Sequence, residues 1–160
     1  MELDNFFLAE YNYTNVDHKT VAIELENDKD GRNYLGNLEY HIDMVNKRKE
    51  DSPCNHAYIA YYDDIPIGFI SITNKDESYQ ISYGIRPRNR GEHLGAMLLQ
   101  EFSEKMFEVY PEINTLTLII NDLNTGSRKT ANLAGYTQEN KVRYTQKRMW
   151  KHTILVCFFI

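Results

Sequence analysis

The sequence predicts one mixed α/β domain, and three features point there. Tyr79, Ile81, Tyr83 and Ile85 interleave with Gln80, Ser82, Gly84 and Arg86, the two-residue period of a strand with one buried face. Directly afterwards the period changes. Leu94, Leu98, Leu99, Phe102, Met106 and Val109 fall on one helical face about 140° wide. Finally, no repeat, low-complexity stretch or Pro/Gly/Ser linker divides the 160 residues, so a single domain over 1–160 is expected.

Composition narrows the class. With 42% hydrophobic and 26% charged residues the chain is neither disordered nor fibrous. Its net charge of -5 argues against a general nucleic-acid binder. The two cysteines, Cys54 and Cys157, make no disulfide framework and have no zinc spacing, so no metal is expected. The first residues lack the zones of a signal peptide, and the longest apolar run, 154–160, is far short of the ~20 residues that span a bilayer. A reducing, cytoplasmic setting without membrane contact is the expectation.

The elements follow in order. Residues 3–13 read as a first strand. Residues 16–27 read as a helix with Asp17 as its cap and Val21, Ile23 and Leu25 as apolar anchors. After a turn at 27–31, Leu35, Leu38, Ile42 and Val45 mark a second helix, and 47–53 a charged loop. Strands at 56–62 and 65–73 flank Asp63-Asp64, a hairpin turn. Then come the alternating strand, the long helix to Tyr110, and a β-branched strand at 114–120. A short helix over 124–134 is closed by Gly135, suited to a left-handed cap. Residues 136–146 and 150–160 are each strand length and are expected to pair as a final hairpin, which buries the apolar tail. The order is β-α-α-β-β-β-α-β-α-β-β.

Chemistry concentrates in residues 83–96, YGIRPRNRGEHLGA, where a strand enters the long helix through a loop rich in arginine and glycine. A helix N-terminus presents unpaired N–H groups and the positive end of its dipole, so it suits a phosphate. Glycines allow close approach, and Arg86, Arg88 and Arg90 add charge at the mouth. The plainer reading is a tight turn with solvated arginines. The spacing is neither that of a P-loop nor that of a dinucleotide fingerprint.

This loop resembles the acyl-CoA loop of the GNAT superfamily of N-acetyltransferases, Q/R-x-x-G-x-G/A. Arg90, Gly91 and Gly95 fit, with Glu92 and Leu94 between, and His93 stands where a middle glycine is usual. Downstream, Asn124-x-x-Ser127 with Gly135-Tyr136 resembles the superfamily's N-x-x-S-x(7)-G-F/Y motif. Its form is closest to the branch that acetylates ribosomal-protein N-termini, as is the ending from Trp150. The resemblance covers the chain from about Tyr58 onward.

The resemblance implies a single-domain, mostly antiparallel sheet flanked by helices, and acetyl-CoA as co-substrate. The strand ending at Ile85 splays from its neighbour, and pantetheine pairs with the exposed edge. Backbone N–H groups from Gly91, Glu92, His93, Leu94, Gly95 and Ala96 take the pyrophosphate, and an N–H near Ile85 holds the thioester carbonyl. Asn124 bonds the pantetheine arm, and Lys129 or Arg128 reaches the CoA phosphates. His93 either crowds the pyrophosphate or, protonated, adds a contact.

Relatives often carry a tyrosine acid seven residues after the motif asparagine, where this chain has Ala131. Ser127 is its substitute by resemblance, unless its hydroxyl merely bonds helix backbone. Gln80 and Ser82 stand where relatives often place a glutamate base. Glu77 and His56 are the titratable candidates nearby, and no base is assigned. Tyr144 and Gln146 are expected to face the acceptor. The acidic Glu24, Glu26, Asp28 and Asp30 are either a solvated face or an attractor for a cationic amine.

The expected activity is direct acetyl transfer to an amine: a small polyamine, an aminoglycoside-like molecule or a protein N-terminus. The alternative is a degenerate relative that binds CoA or a protein partner without turnover. A homodimer is implied only by resemblance, and no nucleic acid is expected as a partner.

Overall fold

Asparagine starts three of the four helices among the described residues of the structure, a computed structural model that describes residues 5–29, 36–75 and 78–149. Asn15 opens α1 (Val16–Asn27), its side-chain oxygen accepting the His18 N–H at 3.2 Å. Asn37 opens α2 (Leu38–Lys47) by accepting the Tyr40 N–H at 3.0 Å. The exception is α3 (Leu94–Val109), preceded by His93 with no side-chain cap. Asn124 opens α4 (Thr125–Leu133), accepting the Ser127 N–H at 3.1 Å. Each cap satisfies one of the donors that a helix start leaves unpaired. Asp17, the expected cap of α1, lies inside its first turn instead. The backbone is still extended at Asn15, so that side chain is the one able to fold back.

The strands are β1 (Phe6–Glu10), β2 (His56–Tyr62), β3 (Ile65–Lys75), β4 (Ser78–Ile85), β5 (Thr115–Ile119), β6 (Thr137–Gln138) and β7 (Arg143–Lys147). They form one sheet in the order β1-β2-β3-β4-β5-β7-β6. Every pairing is antiparallel except β4 with β5. Asp63 and Asp64 join β2 to β3 with φ of 51° and 62°, the paired left-handed geometry whose twist matches a two-residue hairpin. The mixed α/β class and the mostly antiparallel sheet are as the sequence predicts.

Two cores follow from the alternation of the strands. On one face Ile59, Phe69 and Ala57 pack with Val21, Leu25, Leu38, Ile42 and Val45 of α1 and α2. On the other, Ile70, Ile72, Ile81 and Ile85 meet Leu98, Leu99, Phe102 and Met106 of α3 and Ala131 of α4. Ile23 and Val109, expected on buried faces, are 52% exposed in each case. Ile23 lies two residues, about 200° of helix, from the buried Val21.

The C-terminal reading needs one correction. Residues 136–146 are not one strand: β6 and β7 form a hairpin inside that segment, Thr137 facing Thr145 and Gln138 facing Tyr144. Asn140 makes the turn, its side-chain oxygen accepting the N–H groups of Val142 at 3.0 Å and Arg143 at 2.9 Å. The expected strand at 150–160, with Cys157, lies outside the described residues, as do Asp30, Leu35 and Glu77. Among the described residues, no helix is long and apolar enough to cross a membrane.

Candidate active site

The site starts from a disagreement between two strands. β4 and β5 pair only at Tyr79–Leu116 and Gln80–Thr117, although β4 runs on to Ile85 and β5 to Ile119. Beyond Gln80 the two strands part. On its other side β4 stays bonded to β3, with the Arg86 N–H donating to the Ile67 carbonyl at 2.9 Å. In an antiparallel ladder, the neighbour of such a bonded residue turns its own N–H and C=O the other way. Ile85, opposite Gly68, therefore directs both into the gap.

The loop after β4 folds back over this gap. A 3-10 turn over Pro87–Asn89 leads to Gly91 at φ +86°, and His93 adopts φ 60° and ψ 15°. The left-handed backbone at His93 accounts for the glycine usual in the resembling loops: the position needs positive φ, whatever the crowding from a side chain. The first backbone bond of α3 runs from Met97 N–H to the His93 carbonyl at 3.1 Å. The N–H groups of Leu94, Gly95 and Ala96 thus have no partner within the helix, and no side chain caps them.

α4 closes the far wall. A Cβ built on Gly95 lies 3.1 Å from Cγ2 of Thr130, so glycine lets α3 and α4 approach. Between them and β4 runs a cleft of about 410 Å³. Ile85, Arg90, Gly91, His93, Leu94 and Gly95 form one side of it, and Asn124, Ser127 and Lys129 the other. Of the predicted cofactor residues, Glu92 is exposed and Ala96 is packed into the core, and neither side chain borders the cleft. Arg128 is turned away, donating to the Tyr144 hydroxyl at 3.1 Å and the Asp122 carbonyl at 3.3 Å.

Tyr83 is the residue that sequence reasoning missed. Its ring lines the cleft, and its hydroxyl shares a 2.7 Å hydrogen bond with Ser127 Oγ. Burial pushes the phenol above its ordinary pKa, with the bond to Ser127 opposing the shift, so it stays protonated near neutrality. The signal was present. Tyr83 shares the face of Ile81 and Ile85, and across from it α4 offers the small Ser127 and the fully buried Ala131 one turn apart.

The charged residues are arranged differently from expectation. Arg86, 6% exposed, donates from Nε and Nη2 to both oxygens of Glu24 at 2.6 and 2.7 Å, and from Nη1 to the Pro66 carbonyl at 2.9 Å. Arg88 joins the same carboxylate at 2.8 Å. Arg90 binds Asp28 at 2.8 Å and the Ile85 carbonyl at 3.0 Å. Glu26 accepts the Glu39 N–H at 3.1 Å. Two of the four acidic residues, Glu24 and Asp28, therefore clamp the loop, while Glu26 bonds the start of α2. The bond to Arg86 holds the Glu24 carboxyl below the usual range.

Other candidates sit elsewhere. His56 pairs with Glu10 at 3.2 Å in a surface group with Lys49. Tyr144 is fully buried, its hydroxyl accepting from Arg128, and does not line the cleft. Cys54 is buried in the core away from the cleft, and burial pushes its thiol up.

The cleft suits an extended, phosphate-bearing thioester. It offers unpartnered N–H groups at the start of α3, open space over Gly91, where a Cβ would meet nothing within 4 Å, and the Ile85 N–H at its inner end.

Comparison with known proteins agrees with this geometry. Residues 20–136 match the model of the acetyltransferase (GNAT) family. Among solved structures, the chain is similar to the Campylobacter jejuni N-acetyltransferase PseH, at 20% identity and TM-score 0.63, over 90% of this chain and 99% of that one. It is also similar to AAC(6')-Ib in complex with paromomycin and acetyl-CoA (16%, TM-score 0.71, 91% and 94% covered). A third is the Vibrio cholerae spermidine N-acetyltransferase in complex with CoA and spermine (14%, 0.67, 90% and 96%). At these identities the likeness concerns the fold. No curated protein matches the sequence. With the family model spanning more than half of its length, the chain belongs to the acetyltransferase (GNAT) family.

Proposed function

We propose that the protein is an acetyl-CoA-dependent N-acetyltransferase that passes the acetyl group directly to an amine. The observation that carries this is the open start of α3 beside the outward N–H of Ile85, at the gap where β4 and β5 part. The N–H groups of residues 91–96 hold the pyrophosphate, with Glu92 and Ala96 contributing backbone only. Lys129 at the mouth meets the CoA phosphates. Asn124, its oxygen engaged in capping α4, offers its amide NH2 to the pantetheine arm. Pantetheine pairs along the free edge of β4, and the Ile85 N–H stabilises the oxyanion.

The leaving thiolate needs a proton. Ser127 and Tyr83 supply it as a hydrogen-bonded pair, Tyr83 filling from β4 the place left by the small Ala131. Direct transfer is supported by the position of Cys54, which lines no part of the cleft. The single domain expected over 1–160 is supported by one sheet that takes in every described strand from β1 to β7.

A small-molecule amine is the acceptor we favour, because structural neighbours bind an aminoglycoside and spermine. The Asn124–Ser127 and Gly135–Tyr136 spacing supports a place near the ribosomal-protein branch, whose acceptor is a protein N-terminus. Binding without turnover is the second reading, favoured by His93 and Ala131. Thiol detection separates the two: free CoA released only when an amine is present supports transfer. Binding of acetyl-CoA without thiol release from any amine supports the second reading.

A further inference from the structure

The opposite face of β4 carries a second, smaller hollow. It holds about 210 Å³ between α2 and the β3–β4 ladder, bordered by His41 of α2, Arg48 just past its end, Thr73 and Lys75 of β3, and Gln80 and Ser82 of β4. Strand alternation puts it there: Gln80 and Ser82 point away from the face shared by Ile81, Tyr83 and Ile85. Ser82 is three residues, about 10 Å of strand, from Ile85. Past Gln80 no strand pairs with that edge of β4, so Ser82, which borders the hollow, and Tyr83, which borders the cleft, are neighbours along the unpaired part of the strand.

Among the described residues its chemistry is one-sided. Arg48 and Lys75 border it, and neither side chain makes an ion pair or hydrogen bond among the described residues. No described carboxylate lines it. Of the acidic residues expected to attract a polycation, Glu24 and Asp28 are bound to arginines of the loop after β4, and Glu26 accepts the Glu39 N–H. His41 brings the one ring able to accept a proton. Its Nε2 shares a hydrogen bond with Ser71 Oγ at 2.9 Å and its ring stands edge-on to Phe69 at 5.9 Å, and among the described residues Nδ1 has no protein partner.

Resting on the transferase reading above, we infer that this hollow is the acceptor site and that the acceptor is an amine that also carries a carboxylate or phosphate. The anionic group sits between Arg48 and Lys75, and the amine lies beside His41 and Ser82. Burial lowers the pKa of His41, which keeps the ring neutral and ready for a proton even with Arg48 and Lys75 nearby; Gln80, Ser82 and Ser71 around it are uncharged. The ammonium gives one proton to His41, its nitrogen bonds to the thioester carbon, and the C–S bond breaks. The thiolate takes a proton from the Ser127–Tyr83 pair, and the second proton of the nitrogen returns through water. The net products are an amide, free CoA thiol and one proton.

The test is a thiol-release panel of three amine groups: amino acids and O-phosphoethanolamine; ethanolamine and glucosamine; putrescine, spermidine and kanamycin. The expected result is highest kcat/KM in the first group, its carboxylate and phosphate members showing which anion is preferred. Arg48→Gln with Lys75→Gln is then expected to raise the acceptor KM at least tenfold and leave the acetyl-CoA KM unchanged. Equal or better turnover of neutral or polycationic amines, an unchanged acceptor KM in the variant, or no turnover of any member overturns the inference. Turnover confined to the other two groups overturns the inference and leaves the transferase reading standing. Calorimetric binding of acetyl-CoA with no thiol release from any member is instead the failure of the transferase reading itself, so the two failures are distinct.

Discussion

His93 holds a backbone conformation that costs an L-residue about 1–2 kcal/mol, at φ 60° and ψ 15°. His93→Gly is therefore expected to raise stability by about 1 kcal/mol in urea denaturation and to tighten acetyl-CoA binding in calorimetry. An unchanged midpoint would mean that the loop relaxes away from this conformation. The histidine was visible in the sequence as a departure from the glycine pattern. The reason glycine is favoured was not, because a dihedral angle leaves no periodic trace. Tyr83 makes the same point from another side. Its alternation placed it on the inner face, but its hydrogen bond to Ser127 spans 44 positions and no local pattern reports it. Tyr83→Phe is expected to lower kcat about 100-fold with little change in the acetyl-CoA KM. With burial raising its pKa, the phenol acts as an acid throughout the neutral range, so it imposes no loss of kcat there.

At the scale of elements, the site depends on a helix that never touches the reacting atoms. α1 presents Glu24 to Arg86 and Arg88, and Asp28 to Arg90, so it fixes the loop that starts α3. Glu24→Gln leaves the nearly buried Arg86 guanidinium without its counter-charge, and a loss of about 3 kcal/mol is expected. The same variant should weaken acetyl-CoA binding, since the loop loses its anchor. Charge counting along the sequence found these acidic residues but not their partners, 62 positions away. Strong periods fared better: the bounds of α1, the β2–β3 turn and the α3 face, apart from Val109, were all legible. The strand expected over 136–146 was drawn too long because a polar stretch around Asn140 interrupts a segment that otherwise reads as one strand. Asn140→Ala, which removes two accepted hydrogen bonds, is expected to cost about 1–2 kcal/mol, measured by thermal unfolding.

Across the whole molecule, acid should act in two stages. His18 accepts the Asn12 N–H on Nδ1 at 2.9 Å, and burial lowers its pKa below 6.5. As pH falls through 6.5 the unfolded chain takes up this proton first, so stability declines. Glu24 has a folded pKa below its ordinary 4.5: its contribution is present above 4.5 and is lost as pH falls through the lower, folded value. Urea denaturation across a pH series should show both declines, and Glu24→Gln should reduce the second, to which Glu10, paired with Lys49, also contributes. The parting of β4 and β5, which creates the site, belongs to this scale as well. Two strands separated by α3 meet at only two register positions, and only the family resemblance, not the periodicity of either strand, announced it.

The most direct measurement is a calorimetric titration of the protein with acetyl-CoA at ordinary salt. The arrangement of Ile85, the α3 N-terminus and Asn124 predicts saturable micromolar binding, about -8 kcal/mol. No saturable heat at millimolar acetyl-CoA would contradict it, and the cleft between α3, α4 and β4 would then not be an acetyl-CoA site.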